Sequence, residues 1–103
     1  KLINNKKKIV VFLDSNHTHD HVLKELEIYS KYVNKGSYIV VFDTLIEDID
    51  NKFHKNRNWS KKNNPKTAVY EFLKKNKNFK IDKKIYKKLL ISNCPDGYLK
   101  KII

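Results

Sequence analysis

The stretch VVFLDSNHTHDHVLKELEIYSKYVNKGSYIVVFDT, residues 10–44, decides the fold of this chain. It begins within an apolar, β-branched run over residues 9–13, which is typical of a buried parallel strand. Residues 22–33 then place apolar side chains at helical spacing, and Gly36 suits the left-handed turn that ends a helix. A second apolar run over residues 37–42 predicts another buried strand. Strand, helix and strand in this order predict a right-handed βαβ unit.

Each of the two predicted strands is followed by an aspartate. Asp14 follows the first strand and Asp43 follows the second, so parallel pairing brings both to the same edge of the sheet. Ligands of open α/β sheets bind at the carboxyl ends of the strands. Adjacent strands lie about 4.8 Å apart, so two such carboxylates can share one hard divalent cation. An ordinary turn or cap role for each aspartate is the alternative that the sequence leaves open.

Three histidines, His17, His19 and His21, crowd the turn after Asp14. His17 lies three residues after Asp14, where it can face the same pocket. A histidine beside a metal-held hydroxyl is suited to act as a general base. The other two are expected at a solvated start of the helix, with Thr18 as its N-cap. A surface position is the alternative for His17 as well.

A long segment without a clear period follows the second strand. It contains Trp59, the single tryptophan of the chain. Loops of this length are usually functional or mobile, so residues 44–64 are predicted to form an active-site loop or, alternatively, a disordered connector. Asn64 and Pro65 then predict the N-cap and the first position of a second helix.

The sequence of residues 79–99 predicts short antiparallel strands. Residues 79–82 alternate like a strand, residues 83–86 are expected to turn, and residues 88–92 predict a second strand that completes a hairpin at the sheet edge. Residues 95–97 (Pro-Asp-Gly) predict a turn. Residues 98–99 are then expected to pack back on the sheet.

Composition limits the functions that the chain can have. At 103 residues it forms one small domain, and no apolar stretch reaches the roughly 20 residues that span a bilayer. Cys94, the single cysteine, excludes an internal disulfide and fits a reducing compartment, so we expect a cytoplasmic protein. Only two glycines are present, Gly36 and Gly97, which excludes a glycine-rich nucleotide cradle within this chain.

The net charge of +12 raises the alternative of a basic nucleic-acid-binding module. The positive charge is nearly all lysine, with Arg57 as the one arginine. Specific readout of phosphates and bases prefers the planar fork of arginine. We therefore expect no specific nucleic-acid partner and attribute the charge to a lysine-rich surface.

Taken together, these motifs resemble the cephalosporin hydroxylase/rhamnosyl O-methyltransferase family. The resemblance covers residues 9–102, and it rests on LDSNHTHDHVLKELEIYSKYVNKGSYIVVFDT, NPKTAVYEFLKKNKNFKID and PDGYLKKI. It implies an α/β fold that is the C-terminal half of a Rossmann-like class I methyltransferase sheet, with residues 1–103 as a single partial domain. The missing N-terminal half would carry the glycine motif that holds S-adenosylmethionine.

The resemblance also implies a chemistry. It indicates an S-adenosylmethionine-dependent O-methyltransferase that acts on a hydroxyl of a sugar or glycolipid acceptor with the help of Mg²⁺ or a similar divalent cation. Asp14 and Asp43 match metal-binding positions of the family, and His17 matches its catalytic base. The family has a glutamate where this chain has Phe42, so one expected carboxylate is replaced. An inactive or truncated relative with a binding or assembly role is the alternative.

A half sheet would leave the first strand, residues 9–13, without a neighbour on one side. Open apolar strand edges associate with other chains. The sequence therefore predicts self-association through this edge.

Overall fold

A computed structural model describes residues 8–49, 57–88 and 94–103. In these residues four strands form one open mixed sheet in the order β1-β2-β4-β3. The strands are β1 (Val11–Leu13), β2 (Tyr38–Val41), β3 (Phe79–Ile81) and β4 (Tyr98–Lys101). The helices are α1 (His19–Tyr29), α2 (Pro65–Lys75) and α3 (Lys83–Lys88). This mixed α/β arrangement is consistent with part of a Rossmann-like fold, as the sequence predicted.

The predicted βαβ unit is present. Strands β1 and β2 are parallel, with Leu13 paired to Val41, and α1 connects them. Gly36 has a φ of +88°, which confirms the predicted left-handed turn before β2. Thr18 precedes α1 in an extended conformation, as an N-cap residue does, but its side chain makes no capping hydrogen bond. Its hydroxyl donates instead to Oδ1 of Asn16, at 2.9 Å.

One apolar cluster joins the sheet to α1 and α2. The two helices pack against each other, and each buries one apolar stripe, because its apolar residues recur at helical spacing. The buried members of the cluster are Leu13, Val22, Leu26, Val33, Ile39, Val41, Ala68, Val69, Phe72, Phe79 and Leu99. No helix in the described part of the chain is long and apolar enough to cross a membrane.

The C-terminal strands pair differently from the prediction. Strand β4 lies between β2 and β3 and is antiparallel to both, so that Leu99 is paired with Ile39 on one side and Ile81 on the other. The expected packing of residues 98–99 on the sheet is therefore confirmed, and β3 pairs with β4.

The turn predicted over residues 83–86 is wrong, because α3 occupies Lys83–Lys88. Asp82 gives the physical reason. Its Oδ1 accepts hydrogen bonds from the backbone N–H groups of Lys84 and Ile85, at 3.0 and 3.3 Å, which is how an N-cap residue starts a helix. Lys88, the first residue of the predicted strand, belongs to this helix, and residues 89–92 lie outside the described residues.

Strand β1 forms one edge of the sheet in the part of the chain that the structure describes. Phe12 is 64% exposed and Val10 is 46% exposed, so this edge is apolar. We expect the protein to self-associate through it, and Phe12→Lys to shift the equilibrium towards monomer, because a charged side chain on an edge opposes strand pairing. Sedimentation velocity at several concentrations measures this, with Tyr32→Lys as an exposed aromatic control. A wild-type chain that stays monomeric at high concentration would contradict the prediction.

Candidate active site

The three residues predicted as a site converge at the carboxyl ends of β1 and β2. Asp14 follows β1 directly, His17 lies on the turn to α1, and Asp43 comes two residues after β2. One potential ligand atom of each residue lies within 4.8 Å of the other two. The convergence follows from the register of the parallel pair, which places the ends of the two strands side by side.

His17 and Asp43 form a hydrogen-bonded pair. The distance from Nε2 of His17 to Oδ2 of Asp43 is 2.8 Å, and both side chains are about two-thirds buried. An ionised carboxylate only accepts hydrogen bonds, so Nε2 is the donor. In the neutral ring, Nδ1 is then the nitrogen that can take a proton from another group. The pair therefore has the arrangement of an oriented general base.

The backbone at Asp43 is in the left-handed region, with φ 60° and ψ 26°. Aspartate tolerates this conformation better than most residues with a side chain. It turns the chain from β2 directly into a short 3-10 helix, Thr44–Asp48. Phe42, the residue before, packs its ring against Phe12 with the centroids 6.0 Å apart. The position at which the resemblance implies a glutamate is thus part of an aromatic pair.

Trp59 packs against the catalytic candidate His17. The two ring centroids are 6.0 Å apart and the ring planes are nearly perpendicular, at 78°. The guanidinium carbon of Arg57 lies 5.7 Å from the centre of the indole ring, within the range of a cation–π contact. The sequence placed Trp59 in a loop but gave no signal for its contact with His17. Residues 50–56 of that loop lie outside the described residues, and its role as an active-site loop stays a prediction.

Asn64 anchors the end of this segment to the start of α2. It is completely buried, and its Oδ1 accepts from the backbone N–H groups of Lys66 and Thr67, which confirms the predicted N-cap. Its Nδ2 donates to the backbone oxygen of Ser60 at 2.9 Å and to Oε1 of Glu47 at 2.6 Å. The segment next to Trp59 is therefore tied both to α2 and to the 3-10 helix after β2.

Glu47 takes part in this anchor as a charged group. Burial favours its neutral form, but hydrogen bonds from the backbone N–H of Lys62 and from the Asn64 amide lower the pKa of its carboxyl below the ordinary value. The Lys62 bond to Oε1 is 2.8 Å long. The anchor therefore includes charge-assisted hydrogen bonds, which are stronger than neutral ones.

His19 does not join the site, and it is not at a solvated helix start as predicted. Its Nδ1 is 2.7 Å from Oγ1 of Thr67 and its Nε2 is 3.0 Å from Oε1 of Glu71. Its backbone N–H donates to Oδ1 of Asn63. The hydrogen bond from His19 lowers the pKa of Glu71. His19 therefore links α1 to α2, whereas His21 is exposed as expected.

The family model for rhamnosyl O-methyltransferase/CmcI matches residues 1–102. The chain belongs to this family. This membership confirms the resemblance that the motifs indicated. It supports the assignment of the chain as a methyltransferase. No curated protein and no solved structure shows a significant match to the chain.

The site residues of this rhamnosyl O-methyltransferase/CmcI family member fit a divalent cation. Ligands held at about 2.1 Å around one Mg²⁺ lie about 3.0 Å apart when adjacent and about 4.2 Å apart when opposite, and larger cations widen these distances. The 4.8 Å within which the three atoms lie is slightly wider than the largest of these separations for Mg²⁺, so a small rotation of the side chains brings them onto one ion. Carboxylate oxygens are the preferred ligands of Mg²⁺ and Mn²⁺. Asp43 has two oxygens, so it can accept from His17 through one and reach a cation with the other.

Membership of the rhamnosyl O-methyltransferase/CmcI family implies S-adenosylmethionine as methyl donor, but residues 8–49, 57–88 and 94–103 form no glycine-rich cradle for it. Gly36 lies between α1 and β2, and Gly97 lies directly before β4. Neither follows the carboxyl end of a strand into a helix, which is where glycine-rich cofactor turns occur. The described part of the chain thus holds the candidate acid–base and metal residues without a glycine-rich turn beside them.

Proposed function

We propose that this chain provides the acid–base and metal-binding part of an S-adenosylmethionine-dependent O-methyltransferase acting on a hydroxyl of a rhamnose-like sugar or glycoconjugate. One observation carries the proposal: the hydrogen-bonded His17–Asp43 pair lies with Asp14 at the carboxyl ends of two parallel strands. The match to a family described as rhamnosyl O-methyltransferase/CmcI supports the choice of reaction and of acceptor.

The geometry supports a role for each residue. Asp14 and Asp43 would hold the cation, which when bound lowers the pKa of a coordinated hydroxyl and orients it. His17 accepts the hydroxyl proton at Nδ1, which makes the sugar oxygen a better nucleophile. Asp43 keeps the imidazole in the required tautomer through its 2.8 Å bond and stabilises the imidazolium that forms.

The proposal predicts that the chain binds Mn²⁺ and that Asp14→Ala weakens this binding at least about tenfold, because one of two anionic ligands is lost. Electron paramagnetic resonance of the free ion measures the affinity. Asp20→Ala is the matched control, since it removes the same charge from an exposed position on α1 outside the cluster. Equal affinities for Asp14→Ala, Asp20→Ala and wild type would remove the metal site from the proposal.

A relative that keeps the fold without the catalysis is the second candidate, and Phe42 is the observation that favours it. Its ring packs against Phe12 at the position where the family carries a carboxylate. Phe42→Glu separates the two candidates in the same Mn²⁺ titration. Binding by the wild-type chain supports the first candidate, whereas binding that arises only in Phe42→Glu supports the second.

A further inference from the structure

A groove of about 480 Å³ lies at the β3–β4 side of the sheet, and its lining is strongly basic. Four lysines line it, from β3, β4 and α3: Lys80, Lys100, Lys83 and Lys84. The cluster of Asp14, His17 and Asp43 lies instead at the ends of β1 and β2 and shares no residue with this lining. The groove is therefore separate from the candidate active site.

Two of the four lysines stand opposite each other on neighbouring strands. Lys80 of β3 is in register with Lys100 of β4, and both residues are exposed. Residues directly opposite in an antiparallel pair have Cβ atoms about 5 Å apart on the same face of the sheet, and like charges at such positions are destabilising. The fold thus brings together two positive charges that repel each other.

Neighbouring carboxylates leave most of this charge unbalanced. Among residues 8–49, 57–88 and 94–103, the lysines that form ion pairs are Lys66 and Lys75, and both belong to α2. None of the four groove lysines has a carboxylate oxygen within ion-pair distance in that part of the chain. The ammonium groups of the groove are therefore available to an anionic ligand.

Asp82 is the acidic residue of the lining, and its oxygens already accept hydrogen bonds. Oδ2 accepts from the Tyr38 hydroxyl at 2.6 Å, and Oδ1 accepts from the backbone N–H groups of Lys84 and Ile85. The Tyr38 bond is the main cause that holds the pKa of this carboxyl below its ordinary value, and the charge of Lys100 adds to it. Asp82 is thus ionised at neutral pH, and four lysines with one aspartate give the lining a net charge of +3.

This charge and shape suit a small ligand with two linked phosphate groups. A phosphate group carries about −1.5 to −2 charge at neutral pH, so two of them balance the lining better than one. Lysine binds phosphate as a point charge with three N–H donors, which selects for the amount of charge on a ligand. Ile81 and Ile102 add apolar surface beside the lysines, where the organic part of such a ligand can lie.

We propose that this groove binds a small organic diphosphate, with its phosphate groups between the lysines of β3, β4 and α3. A bound anion offsets the repulsion between Lys80 and Lys100, so binding also stabilises the fold. The inference goes beyond the proposed function, because it assigns a second ligand to another part of the sheet and requires neither the cation nor the base.

Inorganic pyrophosphate is the probe, and sulfate at the same ionic strength is the control anion. Isothermal titration calorimetry in buffer without divalent cations measures the affinity. We expect Lys80→Gln/Lys100→Gln to weaken pyrophosphate binding at least about tenfold, because two of the four positive charges are lost. Lys24→Gln/Lys35→Gln is the matched control, since it removes two exposed lysines outside the groove and should bind like wild type.

Urea denaturation of the same proteins gives a second readout. Without pyrophosphate, Lys80→Gln/Lys100→Gln should be at least as stable as wild type, because the repulsion is gone, and this also shows that the variant folds. With pyrophosphate, the wild type should gain stability and the groove variant should gain little.

Three results would overturn the proposal. The first is a wild type that binds no pyrophosphate, or binds it no more tightly than sulfate. The second is equal pyrophosphate affinity in the wild type and both double variants, because the anion is then attracted by the lysine-rich surface as a whole. The third is binding to phosphatidylglycerol vesicles that depends on Lys80 and Lys100 in a chain that binds no pyrophosphate, which would assign these lysines to a membrane surface.

Discussion

Replacing Gly97 with alanine is expected to lower the free energy of unfolding by about 3 kcal/mol or more. A Cβ at this position would overlap the backbone oxygen of Val41, and it would also lie 3.3 Å from Cβ and from the backbone oxygen of Cys94. The chain cannot move away easily, because Val41 N donates to Gly97 O at 2.8 Å and Gly97 N donates to Cys94 O at 2.9 Å. Urea denaturation of both proteins measures the difference.

Gly36→Ala is the matched control for this prediction. A Cβ at Gly36 meets no atom within 4 Å, so the only cost is that of the left-handed backbone, about 1–2 kcal/mol. Gly97→Ala should therefore be clearly less stable than Gly36→Ala. Equal losses of unfolding free energy in the two variants would contradict this prediction. They would show that β2 and the turn before β4 can move apart to make room for a methyl group.

The close approach at Gly97 also concerns the site. Val41 is the last residue of β2 and lies two residues before Asp43. A shift of β2 away from a new methyl group would displace Asp43 relative to His17 and Asp14. Stability and the geometry of the acidic cluster are thus coupled through one backbone contact.

The local signals of the sequence predicted the βαβ unit and the cluster at its end. Apolar runs without alternation indicate strands covered on both faces, and Gly36 marks the turn between helix and strand. Once two parallel neighbours are inferred, Asp14 and Asp43 are expected at the same edge of the sheet, because the carboxyl ends of parallel strands lie on the same side. The site was predictable to the extent that it follows from strand geometry.

Contacts between distant segments were not predictable in the same way. The contact of Trp59 with His17 joins residues on separate loops. Neither loop has a periodic pattern of apolar residues from which a contact could be predicted. The insertion of β4 between β2 and β3 likewise depends on which strand edges remain open after the first elements pack. Asp82 is different, because an aspartate before a run such as Lys83–Lys88 is a local N-cap signal that predicts a helix.

His19 shows how an exposed pattern conceals a tertiary role. At the start of a helix beside Asp20, a histidine is typical of a solvated first turn. In the structure α2 packs alongside, and His19 meets Thr67 and Glu71 on it. The sequence predicted each helix, but it did not predict which faces of α1 and α2 contact each other. Those faces decide whether the His19 imidazole lies in water or against a partner residue.

Asp43→Asn is expected to weaken Mn²⁺ binding about 100-fold, which corresponds to about 2.7 kcal/mol, while changing the free energy of unfolding by less than about 0.5 kcal/mol. Asparagine has nearly the same shape and also tolerates the left-handed conformation of residue 43, where φ is 60°. It lacks the negative charge that a hard dication requires. Free Mn²⁺ by electron paramagnetic resonance and urea denaturation measure the two quantities on the same samples.

Asp43→Ala separates the backbone role of this residue from its charge. Alanine loses the carboxylate and the 2.8 Å bond to His17, and it also adopts the left-handed region at a cost of about 1–2 kcal/mol. We therefore expect both variants to lose Mn²⁺ affinity but only Asp43→Ala to lose stability. If Asp43→Asn binds Mn²⁺ like wild type, the carboxylate serves only to orient His17, and the cation has no place in the site. If instead both variants lose affinity while Asp43→Asn stays stable, the charge of Asp43, and not the turn it makes, holds the ion.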